Sequence, residues 1–178
     1  NRGDLSGDNK RYNQAFTQDI VPDYASNGNW FFYSVAPTLL VKPVSSTMTY
    51  GDSLATSYSY SLSGFIPGDA DASIANDSTV FNVGGSRSSS GNVTAGFHDI
   101  AYVSGLKSTL GYLFADDTSS SNELTVTPAP ALIYVADPAT RSIGRTVTSL
   151  TGDVIGFIPG ENRENATTGN LIWSTPTT

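Results

Sequence analysis

Asp69, Asp71 and Asp77 are the residues whose type and spacing come nearest to metal chemistry. In Asp69-Ala70-Asp71-Ala72-Ser73, side-chain oxygens fall at alternate positions, as they do where a calcium loop begins. The pattern then breaks, because Ile74 stands where such a loop turns on Gly and Val80 where it closes on a bidentate Glu. What is left is an irregular calcium site on Asp69, Asp71 and Asp77, set against a solvated turn held by an Asx hydrogen bond. No other cofactor is expected.

Acid–base and nucleophilic chemistry have little to work with. The single histidine, His98, precedes Asp99, but no nucleophile-elbow motif supplies a serine for it to activate. One histidine without cysteine also falls short of a zinc site. A surface or half-buried strand histidine is the better reading. The acids Asp69, Asp71, Glu161 and Glu164 occupy turn positions, which makes a hydrolytic carboxylate pair the weakest reading. We therefore expect no enzyme.

Binding motifs are more numerous. Arg2-Gly3-Asp4 is the tripeptide that integrins recognise, with a loop using Gly3 for positive φ as its plain alternative. Asn76-Asp77-Ser78, Asn92-Val93-Thr94 and Asn165-Ala166-Thr167 are sequons, in a chain rich enough in Asn, Ser and Thr to make them by chance. Trp30-Phe31-Phe32-Tyr33 could stack on sugar rings. In a strand, though, alternation turns half of such a run toward the core.

The elements that must carry these residues come in copies. Ala36-Pro37-Thr38-Leu39-Leu40 recurs as Ala129-Pro130-Ala131-Leu132-Ile133, 93 positions on (129 − 36), and in that frame Gly51 meets Gly144. After a one-residue deletion Gly64-Phe65-Ile66-Pro67-Gly68 recurs as Gly156-Phe157-Ile158-Pro159-Gly160, 92 positions on (156 − 64), with Asp69 and Glu161 following. Self-similarity at a long period marks a modular array. Extending the frame aligns Glu123 to Thr127 with Trp30 to Ser34, each a strand running into an Ala-Pro junction. The expected organisation is the tail of a preceding unit or a cap over 1–35, a complete module over 36–128 and a partial second module over 129–178. The chain then reads as a window on a longer array.

Composition fits short strands and turns. Of 178 residues 38% are apolar, enough for small cores, and only 14% are charged, against roughly 25% in ordinary globular chains. A net charge of −7 leaves no basic stripe for nucleic acid and no attraction to anionic membrane. No apolar run approaches the roughly 20 residues of a membrane-spanning helix. The absence of cysteine excludes disulfides and thiolate chemistry and favours an exported bacterial chain.

Leu39 to Val41, Ser57 to Leu62, Val80 to Val83 and Glu123 to Thr127 read as strands, the second by strict period-two alternation of Tyr58, Tyr60 and Leu62. Turns fall at Tyr50-Gly51-Asp52 and Ile66-Pro67-Gly68-Asp69, where Pro presets φ and Gly accepts a positive one. Residues 11–20 and 106–114 carry the only helical tendency, weakened in the second by Thr109, Gly111 and Tyr112. The expected fold class is mainly β, with little helix: small sandwich or grasp-like modules joined end to end.

In that order, the Tyr-Gly-Asp turn, alternating strand, Gly64 to Asp69 block, closing Leu124-Thr125-Val126-Thr127 and Pro128-Ala129-Pro130 junction resemble the MBG and YDG repeats. These are Gly-rich modules of filamentous-haemagglutinin-type bacterial adhesins. Lys10-Arg11-Tyr12-Asn13 and Asn27-Gly28-Asn29-Trp30 look like the segment ahead of such arrays. The second copy departs in having Ile143-Gly144-Arg145 for the Tyr-Gly-Asp turn. The resemblance implies a two-partner-secreted, cell-surface or biofilm-matrix protein that spaces and contacts rather than catalyses.

The leading expectation is thus a non-enzymatic stalk segment of a secreted adhesin, touching host or matrix surface, glycan or neighbouring chains. The alternative is a direct carbohydrate- or matrix-binding module. A second module lacking its closing strand also predicts β-strand exchange.

Overall fold

The computed structural model describes residues 9–15, 30–69, 74–119, 121, 123–145 and 149–175. Strands dominate these residues: β1 (Asn9–Arg11), β2 (Trp30–Phe32), β3 (Thr38–Pro43), β4 (Ser46–Thr49), β5 (Tyr60–Ser63), β6 (Ile74–Val83), β7 (Gly96–His98), β8 (Ile100–Ser108), β9 (Leu113–Asp116), β10 (Leu124–Thr127), β11 (Ile133–Ala136) and β12 (Gly152–Ile155). They form several small sheets and no barrel. The protein is mainly β, as its alternation and turn residues predict. Among the described residues no helix is long and apolar enough to cross a membrane.

Two compact units emerge, each gathered from three stretches of chain. The first takes 1–46, 55–84 and 97–124; the second takes 47–54, 85–96 and 125–178. The compact units and the sequence repeat are therefore different partitions of the same chain.

In the first unit β3 is the middle strand of a sheet ordered β5-β3-β9. It runs antiparallel to β5, with Leu40 opposite Ser63 and Val41 opposite Leu62, and parallel to β9, with Leu39 opposite Phe114. Its residues alternate between exposed and buried, so that Leu39 and Val41 lose all contact with solvent. Leu39 packs with Tyr12 and Tyr112 at the centre of a cluster completed by Leu62, Phe65, Ile74, Leu110 and Phe114. A second pair of strands, β6 and β8, runs antiparallel through a bulge. There Ser78 takes φ +85° and Gly105 takes φ +107°, leaving no room at Gly105 for a Cβ against the Ser78 carbonyl. Phe81 on β6 meets the rings of Tyr58, Tyr60 and Tyr102. Strands β1 and β2 pair in parallel.

The helical tendency of residues 106–114 is overridden. Leu106 to Ser108 end β8, Gly111 makes a turn at φ +91°, and Leu113 opens β9. Pairing with β6 and β3 outweighs a weak local propensity. Within 11–20, Arg11 ends β1 and Asn13 adopts φ +55°, while 16–20 lie outside the described residues.

In the second unit β11 and β12 form a two-stranded antiparallel sheet. Its register is that of β3 and β5 moved along the chain. Leu40 opposite Ser63 becomes Ile133 opposite Ile155, and Val41 opposite Leu62 becomes Tyr134 opposite Val154. The bond from Val44 N–H to Ser59 O, 2.8 Å, returns as Asp137 N–H to Thr151 O, 2.9 Å. The repeat seen in sequence is thus a repeat of backbone pairing. The remaining sheet is ordered β4-β10-β7, and the division of the chain into units falls within its strands. A single helical turn, α1 (Arg163–Ala166), starts from Asn162, whose side chain accepts from Glu164 and Asn165 N–H.

Candidate functional site

Each Gly-Phe-Ile-Pro-Gly block closes on itself and delivers an acid to a fixed place. Asp69 N–H bonds Ile66 O and Glu161 N–H bonds Ile158 O, both at 3.0 Å. Pro at the second position supplies the required φ, and Gly68 and Gly160 take φ +89° and +85°, the left-handed third position that favours glycine. The two acids then meet tyrosines.

In the first unit the Asp69 carboxylate is fully buried. Its Oδ2 accepts from the Tyr12 hydroxyl at 3.0 Å and from the Tyr112 hydroxyl, and the Lys10 ammonium sits on Oδ1. Lys10 is itself 9% exposed. The Tyr112 oxygen also accepts from Ile66 N–H at 3.0 Å, so one phenol ties the turn and its acid together. Burial is the main cause that pushes the Tyr112 phenol up from its usual pKa.

In the second unit Glu161 accepts from the Tyr50 hydroxyl, from Ser90 Oγ at 2.9 Å and from Asn92 Nδ2 at 3.4 Å. The Tyr50 hydrogen bond is the largest cause holding the Glu161 carboxyl below its usual range, and partial desolvation opposes it. The same bond raises the Tyr50 phenol. Tyr50 is brought there by the turn after β4, where Asp52 N–H bonds Thr49 O at 3.0 Å and Gly51 takes φ +98°. A Cβ on Gly51 would stand 2.8 Å from Ile158 Cδ1, so this turn lies directly against the second Ile-Pro-Gly block. Tyr50 belongs to the first sequence copy and Glu161 to the second.

At Asp69 the tyrosines and Lys10 engage both carboxylate oxygens, and at Glu161 the three hydrogen bonds converge on Oε1. What they do is fix turns. None of the three tyrosine–acid pairs is visible in sequence, because their members lie 57, 43 and 111 positions apart. The usable signal was the acid that follows Pro-Gly in both copies.

The sequence-derived candidates scatter. Asp69 is held by the tyrosines, Asp77 pairs with Lys107 at 2.6 Å on the surface, and Asp71 lies outside the described residues. Among the described residues no group of three or more His, Asp or Glu is placed to hold a metal. Arg2, Gly3 and Asp4 also lie outside them. His98, 8% exposed, ends β7, and Asp99 gives its carbonyl to Gly84 N–H. Of the sequon residues, Asn76 accepts from Thr79 N–H and Oγ1, Asn92 donates to Glu161, and Asn165, inside α1, accepts through Oδ1 from the N–H of the cap residue Asn162. Trp30, Phe31 and Phe32 are all half-buried, with Trp30 and Phe32 stacked 6.1 Å apart.

Glu123 is a residue that sequence reasoning passed over. It is 4% exposed, accepts from Ile100 N–H at 3.2 Å through Oε2, and gives its backbone carbonyl to Ser46 N–H. Alternation inward at Leu124 and Val126 would have pointed Glu123 outward with Thr125, so the pattern hid it.

No family model, no curated protein and no solved structure matches this chain.

Proposed function

We propose that the chain is a non-enzymatic repeat segment of a secreted or surface bacterial adhesin, whose work is to set distance and present surface. The observation that carries this reading is the preserved register: β3 with β5 and β11 with β12 pair residue for residue under the sequence offset. Divergence elsewhere supports it. The Thr49-to-Asp52 turn and the Ser142-to-Arg145 turn keep the same backbone bond, at 3.0 and 3.1 Å, although Tyr-Gly-Asp has become Ile-Gly-Arg. Retention of backbone geometry under changing side chains is what an array needs and what a catalytic site does not. The absence of cysteine and the resemblance to MBG and YDG repeats of filamentous-haemagglutinin-type proteins add the extracellular setting.

Small-angle scattering on this chain and on tandem duplications of 36–128 tests the reading. The maximum dimension should grow in equal steps with each added copy. A dimension that stays constant as copies are added, or release of product from a polysaccharide panel, would overturn it.

A further inference from the structure

The two copies differ at one edge. In the first, β3 has a partner on each side, β5 and β9. In the second, β11 pairs with β12, the counterpart of β5, and among the described residues no strand lies on its other side. Strand alternation says which groups face that side. Asp137 N–H bonds Thr151 O, so Asp137, Val135 and Ile133 point their backbone groups toward β12. Leu132 and Tyr134 point theirs away. They are the counterparts of Leu39 and Val41, whose strand is bonded by β9 through Leu113 N–H to Pro37 O at 2.9 Å and Asp117 N–H to Val41 O at 3.0 Å.

Side chains record the same difference. Val41 is wholly buried and its counterpart Tyr134 is 58% exposed; Leu39 is wholly buried and Leu132 is half-buried. Ile133 is 58% and Val135 44% exposed. An apolar strand with an unpaired edge is a template for an added strand.

We propose that the outer edge of β11 is a docking site for a parallel β9-type strand, carried by a further repeat of this kind. The register follows from β3 and β9, in which Leu39 faces Phe114 and Val41 faces Asp116. The incoming strand sets an aromatic residue opposite Leu132 and an acid opposite Tyr134. Its first and last amides bond the carbonyls of Pro130 and Tyr134. A second copy of this chain is a poorer occupant, because it would have to strip its own β9 from β3. The inference rests on the repeat register and not on the spacer reading, so failure here leaves the scattering test standing.

The probe is a synthetic peptide with the sequence of residues 109–118, titrated into the full chain. Amide exchange and NMR shifts are followed at each residue. Saturable one-to-one binding is expected, with exchange at Leu132 and Tyr134 slowed about tenfold or more. A peptide carrying Ala115→Pro should bind about tenfold more weakly, because proline removes a ladder donor from a strand that has no fold of its own to lose. Tyr134→Pro in the chain should do the same, since that amide does not serve β12. No binding at about 1 mM peptide, a Kd whose free energy is only about 4 kcal/mol, overturns the proposal. So does protection confined to other residues, or equal binding of the proline peptide. Concentration-dependent dimers that protect Leu132 and Tyr134 without peptide would show that a second copy is the occupant and overturn the assignment to a β9-type strand.

Discussion

The Tyr50 phenol, from the first copy of the repeat, donates its hydrogen bond to the Glu161 carboxylate of the second, across 111 positions of chain. Asp69, which holds the same place after the first Pro-Gly, takes its bonds from Tyr12 and Tyr112 instead. One backbone turn therefore serves two different tyrosine geometries. The acid is kept as an acceptor while its donors change.

Glu161 makes the second unit sensitive to acid. Its carboxyl pKa is lowered on folding, chiefly by the Tyr50 bond, so the folded form binds its proton less readily than the unfolded chain. The stabilisation is then present above the ordinary carboxylate pKa and is lost as pH falls through the depressed one. Thermal melts between about pH 7 and pH 3 should show this loss. Glu161→Gln or Tyr50→Phe should flatten that part of the profile, and an unchanged profile in both variants would remove Glu161 as its source.

Asp69 sits in a different regime, because both charges of its ion pair are buried. Asp69→Ala strands the Lys10 ammonium without a counter-ion and leaves the Tyr12 and Tyr112 hydroxyls without their acceptor. Loss of about 3–5 kcal/mol is expected in urea unfolding of the first unit. Lys107→Ala, which breaks the exposed pair with Asp77, should leave the urea midpoint nearly unchanged, because solvent screens that pair.

The repeat supplies its own control for glycine. Gly51 and Gly144 occupy equivalent turns with φ +98° and +78°, but a Cβ at Gly51 meets Ile158 whereas one at Gly144 meets nothing within 4 Å. Gly144→Ala should cost about 1 kcal/mol, from backbone strain alone. Gly51→Ala should cost more, with shifts at Ile158 in NMR spectra. Equal costs would mean that the Gly51 turn and the Ile-Pro-Gly block are not in contact in solution.

Much of this architecture is legible in the sequence, and the part that is not has a common cause. Period-two alternation places Tyr60 and Leu62 on one face of β5, and Pro67-Gly68 places the turn after it, because both signals are local. The offset between copies even contains the register of β11 on β12. What pairs Tyr50 with Glu161, or brings Tyr12 and Tyr112 to one carboxylate, is closure of the chain over long distances, and no local pattern encodes it. Glu123 shows the converse: alternation assigns it to solvent, and the Ile100 amide draws it inside. The turn at α1 is a local signal of the same kind, in Asn162-Arg163-Glu164-Asn165, where each Asn side chain accepts from the backbone N–H of the other.

The equivalent leucines give the last prediction, because they separate what β9 adds from what the repeat itself supplies. Leu39 is fully buried beside Phe114 of β9, and its counterpart Leu132 is half-buried at an edge where, among the described residues, no such strand lies. Leu39→Ala removes apolar surface and leaves a cavity lined by aromatic rings, at a cost of about 2–5 kcal/mol. Leu132→Ala should cost clearly less in the chain alone, since solvent already reaches its side chain and no closed cavity forms. With the β9-sequence peptide bound, the cost of Leu132→Ala should rise toward that of Leu39→Ala, because the side chain is then enclosed on both sides. Denaturation of each variant with and without saturating peptide measures the change. A Leu132→Ala cost that stays the same when the peptide binds would show that the peptide does not reproduce the packing that β9 gives Leu39.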